Sequence, residues 1–406
     1  MNKKWIALAM AAALLAGCAA SPSSQASSAL EGSSDAAGPV ATPVYSYVDP
    51  HPEMVFAKLP SGEITYADYR LYIDVNEQLE RASARRNLAL TRMLEKDLAE
   101  LKIEVDEADF EQVAGQELLG AYTQQGYAEA MEKMKTLLGI DDDKLIEAIK
   151  TDFRPQYLIN LRYTRELEKA EKNHPAGAAP AAPAQSEAAP AAPAQSEAAP
   201  AASDASAPAP TAEELAAQAE QERQAAINAE AGAEMDAYSA GFETRCILEK
   251  GDELLAVLDG EKLPLTEADR LYLNYAGMAG RLNQLTTIQA GEAMLRELEA
   301  KGKAPDYDKF LTESFEPYIE SMRSSEEALA QLGSYLEGLG ATVDDFAKAI
   351  ERPMWLNTIS YDFPQMILDE YAALAESADK PTQEDYYTQR VTALLEGAEL
   401  LNETGK

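Results

Sequence analysis

The apolar positions of the chain recur mostly at helical spacing. Leu71, Tyr72, Val75 and Leu79 fall on one face, as do Leu90, Leu94, Leu98 and Leu101, then Tyr127, Met131, Met134 and Leu138, and finally Leu145, Ile149 and Phe153. This is the spacing with which an amphipathic helix buries one stripe. Strand-like apolar runs are short: residues 54–59 before Pro60-Ser61-Gly62, and residues 254–258 before Asp259-Gly260. Each reads as a strand closed by a turn. A helix start follows each turn, Thr65-Tyr66-Ala67-Asp68 and Thr266-Glu267-Ala268-Asp269. The threonine hydroxyl can accept from a first-turn amide, and the aspartate favours the positive end of the helix dipole. The pattern predicts an all-α fold with minor short strands.

Thr65 and Thr266 stand 201 residues apart, and the helical segments 143–149 and 344–350 keep the same separation. Shared order and shared spacing predict two helical units related by duplication. Between them, residues 175–210 are rich in Pro and Ala and carry one decamer twice, at 181–190 and 191–200; such a composition predicts a disordered, semi-extended spacer. Residues 19–50, rich in Ser, Ala, Gly and Pro, read as a flexible tether. The expected organisation is therefore 51–172 for the first unit, 173–210 for the linker, 211–378 for the second unit with a leading helix, and 379–406 for a C-terminal helix and tail.

Lys3 and Lys4, an apolar run from 5 to 15, and then Leu15-Ala16-Gly17-Cys18 form a signal peptide over residues 1–18 that ends in a lipobox. The run is too short for a permanent membrane span. It resembles bacterial lipoproteins, in which the cysteine at the position of Cys18 is diacylated and becomes the new N-terminus. That resemblance implies a lipid anchor on the extracytoplasmic side of the bacterial cell envelope.

The first unit also carries a recognisable order: an apolar strand, the Gly62-Glu63-Ile64-Thr65 turn, a helix, a further helix from Leu90 to Leu101, Ile103-Glu104-Val105-Asp106, and Leu138-Gly139-Ile140-Asp141-Asp142-Asp143-Lys144-Leu145. It resembles the N-terminal helical domain of SurA-type periplasmic chaperones and the matching part of PrsA-like foldases, over about residues 54–165. Asp141 stands where that family uses a hydroxyl cap, an exchange an aspartate can serve. The second copy, about 254–372, is more divergent, with Leu263-Pro264-Leu265 at the turn and Gly340-Ala341-Thr342-Val343 at the later loop. Family members usually add a prolyl isomerase domain built around paired histidines. This chain has two histidines, His51 and His174, each beside a proline and outside the expected helical cores. The resemblance thus implies a peptide-holding cradle without isomerase activity.

Composition narrows the field further. With 35 basic and 70 acidic residues the formal charge is −35, which repels nucleic acid, so none is expected as a partner. Two cysteines, Cys18 and Cys246, exclude a disulfide scaffold. Asp306-Tyr307-Asp308 opens like a calcium loop, but Leu311 replaces its glycine and Pro317 its final glutamate. The run Asp141-Asp142-Asp143 is explained by helix capping. No metal, no cofactor and no enzyme activity are expected. The candidate peptide-binding residues are Tyr122, Tyr127, Met131 and Met134 in the first unit and Tyr272, Tyr275 and Met278 in the second, because thioethers and amphipathic rings repack against varied partners. The expected function is an ATP-independent holdase for unfolded exported polypeptides; the alternative is a passive scaffold lipoprotein that binds one folded partner.

Overall fold

The computed structural model describes residue 49 and residues 51–122, 127–175, 212–249, 251–374 and 380–401. The signal peptide with Cys18, the tether 19–48, and residues 176–211 of the Pro/Ala stretch lie outside the described residues. The chain is mostly helical with a few short strands. Strands β1 (Val55–Leu59) and β2 (Gly62–Thr65) form a hairpin, followed by helices α1 (Arg70–Glu100), α2 (Glu107–Tyr122), α3 (Tyr127–Leu138) and α4 (Asp142–Asn173). Helix α5 (Ala212–Arg245) and strand β3 (Cys246–Leu248) come next. A second hairpin, β4 (Leu254–Leu258) and β5 (Glu261–Pro264), leads into α6 (Glu267–Ala300), α7 (Tyr307–Phe310), a π-helical turn Leu311–Phe315, α8 (Glu316–Ser324), α9 (Glu326–Gly338) and α10 (Val343–Ala372). Helix α11 (Gln383–Leu395) and strand β6 (Glu399–Leu400) close the described chain.

The two three-stranded sheets are built alike. One has the order β2-β1-β6 and the other β3-β4-β5, with both hairpins antiparallel. Each central strand carries its bulge at the same place, between Val55 and Ala57 and between Leu254 and Ala256. The bulge places two consecutive residues on the covered side, Phe56 with Ala57 and Leu255 with Ala256, all fully buried. Ala57 lies opposite Leu400 on the third strand, and Ala256 opposite Leu248. The turn Asp259-Gly260 has positive φ at both residues, 50° and 83°, as a twisted two-residue hairpin turn requires.

Helix ends also recur. Ile103 N–H donates to Leu98 O (2.9 Å) and Lys303 N–H to Leu298 O (2.8 Å), with Lys102 and Gly302 left-handed at φ 56° and 64°. Asp106 and Asp306 cap the helices that follow. The cap expected at Asp141 forms, its Oδ1 accepting from Lys144 N–H (3.0 Å), and at the later start Thr342 and Asp345 make a reciprocal capping box. Thr266 and Asp269 make another. The first expected start differs. Thr65 stays in β2 opposite Val55, Tyr66 N–H donates to Met54 O (2.9 Å), and α1 begins only at Arg70. The strand ladder claims Thr65 before a helix can.

By packing, the chain divides into two compact units that do not follow sequence order. One comprises Ala89–Val105 and Arg154–Pro264; the other takes the remaining described residues. The contiguous division into 51–172 and 211–378 expected from the sequence is therefore not how the packing runs. Its physical reason is visible in the larger unit, where the first hairpin is covered by helices from the second half. Phe56, Leu59, Ile64 and Tyr66 share one buried cluster with Met294 and Leu298 of α6 and Phe363 and Ile367 of α10. Arg296 of α6 holds the hairpin turn through Glu63 O (3.0 Å) and Ser61 Oγ (3.4 Å). Helices α6 and α10 approach so closely that a Cβ on Gly291 would stand 2.9 Å from Leu356 Cβ.

In the smaller unit, Arg245 at the end of α5 binds Asp97 of α1 through both Nη atoms (2.7 and 2.8 Å) and reaches Asp259 in the turn of the second hairpin (2.9 Å). Lys96 of α1 adds a bond to Asp259 (2.9 Å). The Arg162 guanidinium lies 3.9 Å from the centre of the Tyr238 ring. Helix α4 runs on to Asn173, the first residue of the expected linker, and His174 Nε2 meets Glu230 Oε2 of α5 at 3.0 Å. Cys246 is buried and opens β3.

Burial acts to raise the Asp97 carboxyl, but the hydrogen bonds and charge of Arg245 and the charge of Arg162 outweigh it and hold the group below the ordinary carboxylate range. Asp259 is lowered by hydrogen bonds from Arg245 and Lys96. A carboxylate depressed in the folded state stabilises fully above its unfolded value of about 4, and that stabilisation is lost as pH falls through the folded value. In the larger unit Asp74 and Glu80 are raised, chiefly by burial, and act in the opposite sense. The comparison that isolates the smaller unit is therefore wild type against Arg245→Ala. Removing this guanidinium strands a nearly buried Asp97 and should cost about 2–3 kcal/mol at pH 7. The difference between the two proteins should shrink as pH drops from 5 to 2 in a series of urea titrations; a difference independent of pH would refute the assignment.

Candidate functional site

The candidate residues gather, in part, around the α2–α3 pair. Met131 and Met134 of α3 join Leu118 of α2 and Leu145 and Ile149 of α4 in a small buried cluster, with Tyr275, Met278 and Leu282 of α6 packed on it partly buried. Four of the predicted residues, Met131, Met134, Tyr275 and Met278, are thus brought together across 144 residues of sequence. Met131 is 8% exposed and Met134 2%. Both are core residues in the free protein, so the exposed apolar surface expected of them is not there. The helical period that identified them reports a buried stripe, and a stripe closed by another helix has the same letters as one left open.

Tyr272 does not join this group. It is 1% exposed and its hydroxyl donates to Asp152 Oδ1 at 2.5 Å. Burial and the Asp152 charge push its pKa well above the ordinary tyrosine value, so it remains a protonated donor. The side chains of Tyr122 and Tyr127 lie outside the described residues.

Sequence reasoning missed the apolar side chains that do face solvent. Among its described side chains, helix α2 buries only Phe110, Ala114 and Leu118, a stripe at four-residue intervals, and leaves Val113 40% and Leu119 68% exposed on either side of it. In the second half, Tyr318 of α8 is 49% exposed and Ile319 beside it buried. The apolar letters of α2 are spread around the helix, so no single period marks Val113 or Leu119 as different from their neighbours. The signal was present only as apolar residues left over once the stripe is taken out.

A second feature is an open polar cleft of about 380 Å³ lined by Tyr69, Tyr307, Asp345, Lys348, Glu351 and Arg352 among others. Beneath it Glu292, 5% exposed, accepts hydrogen bonds from the Tyr69 hydroxyl and from Arg352 Nε (2.8 Å), and Arg352 Nη2 lies 2.7 Å from the same oxygen. Burial and Glu292 raise the Tyr69 hydroxyl; burial and Glu351 push that of Tyr307 up to about 12. Both phenols are neutral donors at physiological pH. The carboxylate, phenol and guanidinium satisfy one another, which is what a buried charge requires. Among the described residues no group of three His, Cys, Asp or Glu side chains is placed to hold a metal ion, and no helix is long and apolar enough to cross a membrane.

No family model, no curated protein and no solved structure matches the chain.

The burial of Met134 gives a direct test of its role. Met134→Ala should lower the free energy of unfolding by about 2–5 kcal/mol, the range for a large-to-small change in a core, as read from the urea midpoint. A midpoint shifted by less than about 0.5 kcal/mol would return the residue to the surface.

Proposed function

We propose that this chain is a lipid-anchored, extracytoplasmic protein that holds unfolded polypeptides without ATP, built by duplication of a SurA-like helical unit that has no isomerase domain attached. The duplication is supported by the matched sheets, bulges and helix ends of the two halves, each of which runs hairpin, long helix, short helices, long helix, helix, strand. The anchor rests on the Leu15-Ala16-Gly17-Cys18 sequence and is checked by fatty-acid labelling, which Cys18→Ala should abolish.

The observation that carries the holding function is helix α2, which keeps a three-residue buried stripe and turns Val113 and Leu119 to water. Exposed apolar side chains on a lightly seated helix offer contact to any chain with unburied apolar segments, and they do so at little cost to the fold. The buried Met131–Met134 cluster is the seat of that helix pair and sets where α2 is presented.

The soluble chain from Ser21 onward should suppress aggregation of a chemically denatured model client at equimolar concentration. Val113→Ser combined with Leu119→Ser should weaken that suppression several-fold while moving the melting temperature by no more than a few degrees, because surface changes away from packed features are nearly neutral. Absence of suppression by the wild-type chain would overturn the holdase reading. Full suppression by the double variant would move the contact surface off α2.

A further inference from the structure

The third strand of each sheet identifies an exchange. In the first half the leading hairpin is β1–β2 and the trailing strand is β3; in the second half the hairpin is β4–β5 and the trailing strand is β6. A unit folded on itself would add its own trailing strand to its own hairpin. The observed pairs are crossed: β1 takes β6, with Ala57 opposite Leu400 and Lys58 opposite Glu399, and β4 takes β3, with Ala256 opposite Leu248 and Val257 opposite Ile247. The backbone bonds beyond the strands match too, Leu401 N–H to Phe56 O (2.7 Å) and Glu249 N–H to Leu255 O (3.1 Å).

The helices that receive the hairpins are crossed in the same way. Hairpin β1–β2 is covered by α6 and α10 of the second half, and Arg296 of α6 holds its turn. Hairpin β4–β5 falls in one unit with the C-terminal parts of α1 and α4 of the first half, and Lys96 of α1 holds its turn at Asp259. Lys96 and Arg296 stand 200 residues apart, at matching positions on the two long helices. The same long-helix position thus grips the turn of the other half's hairpin in both directions.

We infer that the two halves recognise each other by reciprocal hairpin exchange, so that the chain is a hairpin-exchanged dimer joined end to end. The docking surface is the long-helix face plus the trailing strand of one half, and its partner is the β-hairpin of the other. The inference rests on the duplication proposed above but not on the holding function. It gives residues 175–210 a passive role: they need only span from one half to the next, because recognition is carried by the strands and the turn contacts.

Two cysteine pairs test it in the full soluble chain carrying Cys246→Ala, with a protease site inserted in the Pro/Ala repeat. Lys58→Cys with Glu399→Cys places thiols directly opposite on neighbouring antiparallel strands, within the Cα separation a disulfide accepts. Lys58→Cys with Ile247→Cys links the same hairpin to its own half's trailing strand. All three positions are exposed, so the fold should tolerate the changes. Under mild oxidation the 58–399 pair should close nearly completely within one chain, and the 58–247 pair should stay at background. After cleavage in the repeat, the reduced wild-type fragments should still co-elute as one species without denaturant. Closure of the 58–247 pair, covalent dimers from the 58–399 pair, or separation of the cut fragments would each overturn the exchange. Aggregation suppression by the uncut wild-type chain is read independently, so failure of the holding function and failure of the exchange are separate results.

Discussion

A two-stranded hairpin with an apolar face cannot stand alone in water; it needs a further strand along its open edge and a packed layer over its face. Everything else in this fold answers that requirement. Strand β1 buries Phe56, Ala57 and Leu59 within five residues, more apolar surface than β2 can cover. The edge is closed by two residues of β6, and the face by α6 and α10. Because both covers come from the far end of the chain, the hairpin cannot be completed until the second half has folded. The contacts that stabilise it are thus among the least local in the molecule, and forming them carries a large loop-closure cost.

The polar contacts around the two hairpins follow from the same geometry but differ in chemistry. At the first turn Arg296 finds a backbone carbonyl and a serine hydroxyl; at the second, Lys96 and Arg245 share the carboxylate of Asp259. The second arrangement concentrates charge where Asp97 is also withdrawn from water. In the larger unit the corresponding problem is Glu292 on α6, buried by the packing that covers the hairpin and answered by Tyr69 and Arg352 from two other elements. Such a network is satisfied only when all three partners are in place, which ties the turn between β2 and α1 to α6 and α10 in one cooperative assembly.

Much of this was legible in the sequence wherever the determinant is local. The helical period of 71–79 and 90–101 is legible but reads as two successive helices where the structure has the single α1, and the capping residues Asp141 and Thr266 mark the starts of α4 and α6, because a cap is decided within four residues. Thr65 carries the same local signal and does not cap, since the ladder with Val55 overrides it. The exchange of hairpins was illegible for a related reason: β1 reads the same whether it pairs with β3 or with β6, and period says nothing about which partner is present. Met131 and Met134 show the corresponding limit at the site, where an apolar stripe does not reveal whether a helix or a client will cover it.

The magnitudes constrain how such a surface can hold a chain. Val113 and Leu119 are 40% and 68% exposed, so covering what remains of each yields on the order of 1–2 kcal/mol. Two such contacts, less the cost of ordering a flexible client, leave a dissociation constant of about millimolar or weaker. One helix therefore cannot retain a client by itself. The second half offers Tyr318 on α8, also exposed, and several weak contacts on one body multiply through effective concentration without any one becoming tight. For the holding function proposed above, that arithmetic would favour release as much as capture: each contact would open quickly, a client that buries its own apolar residues would lose all of them together, and no nucleotide would be needed to drive it off.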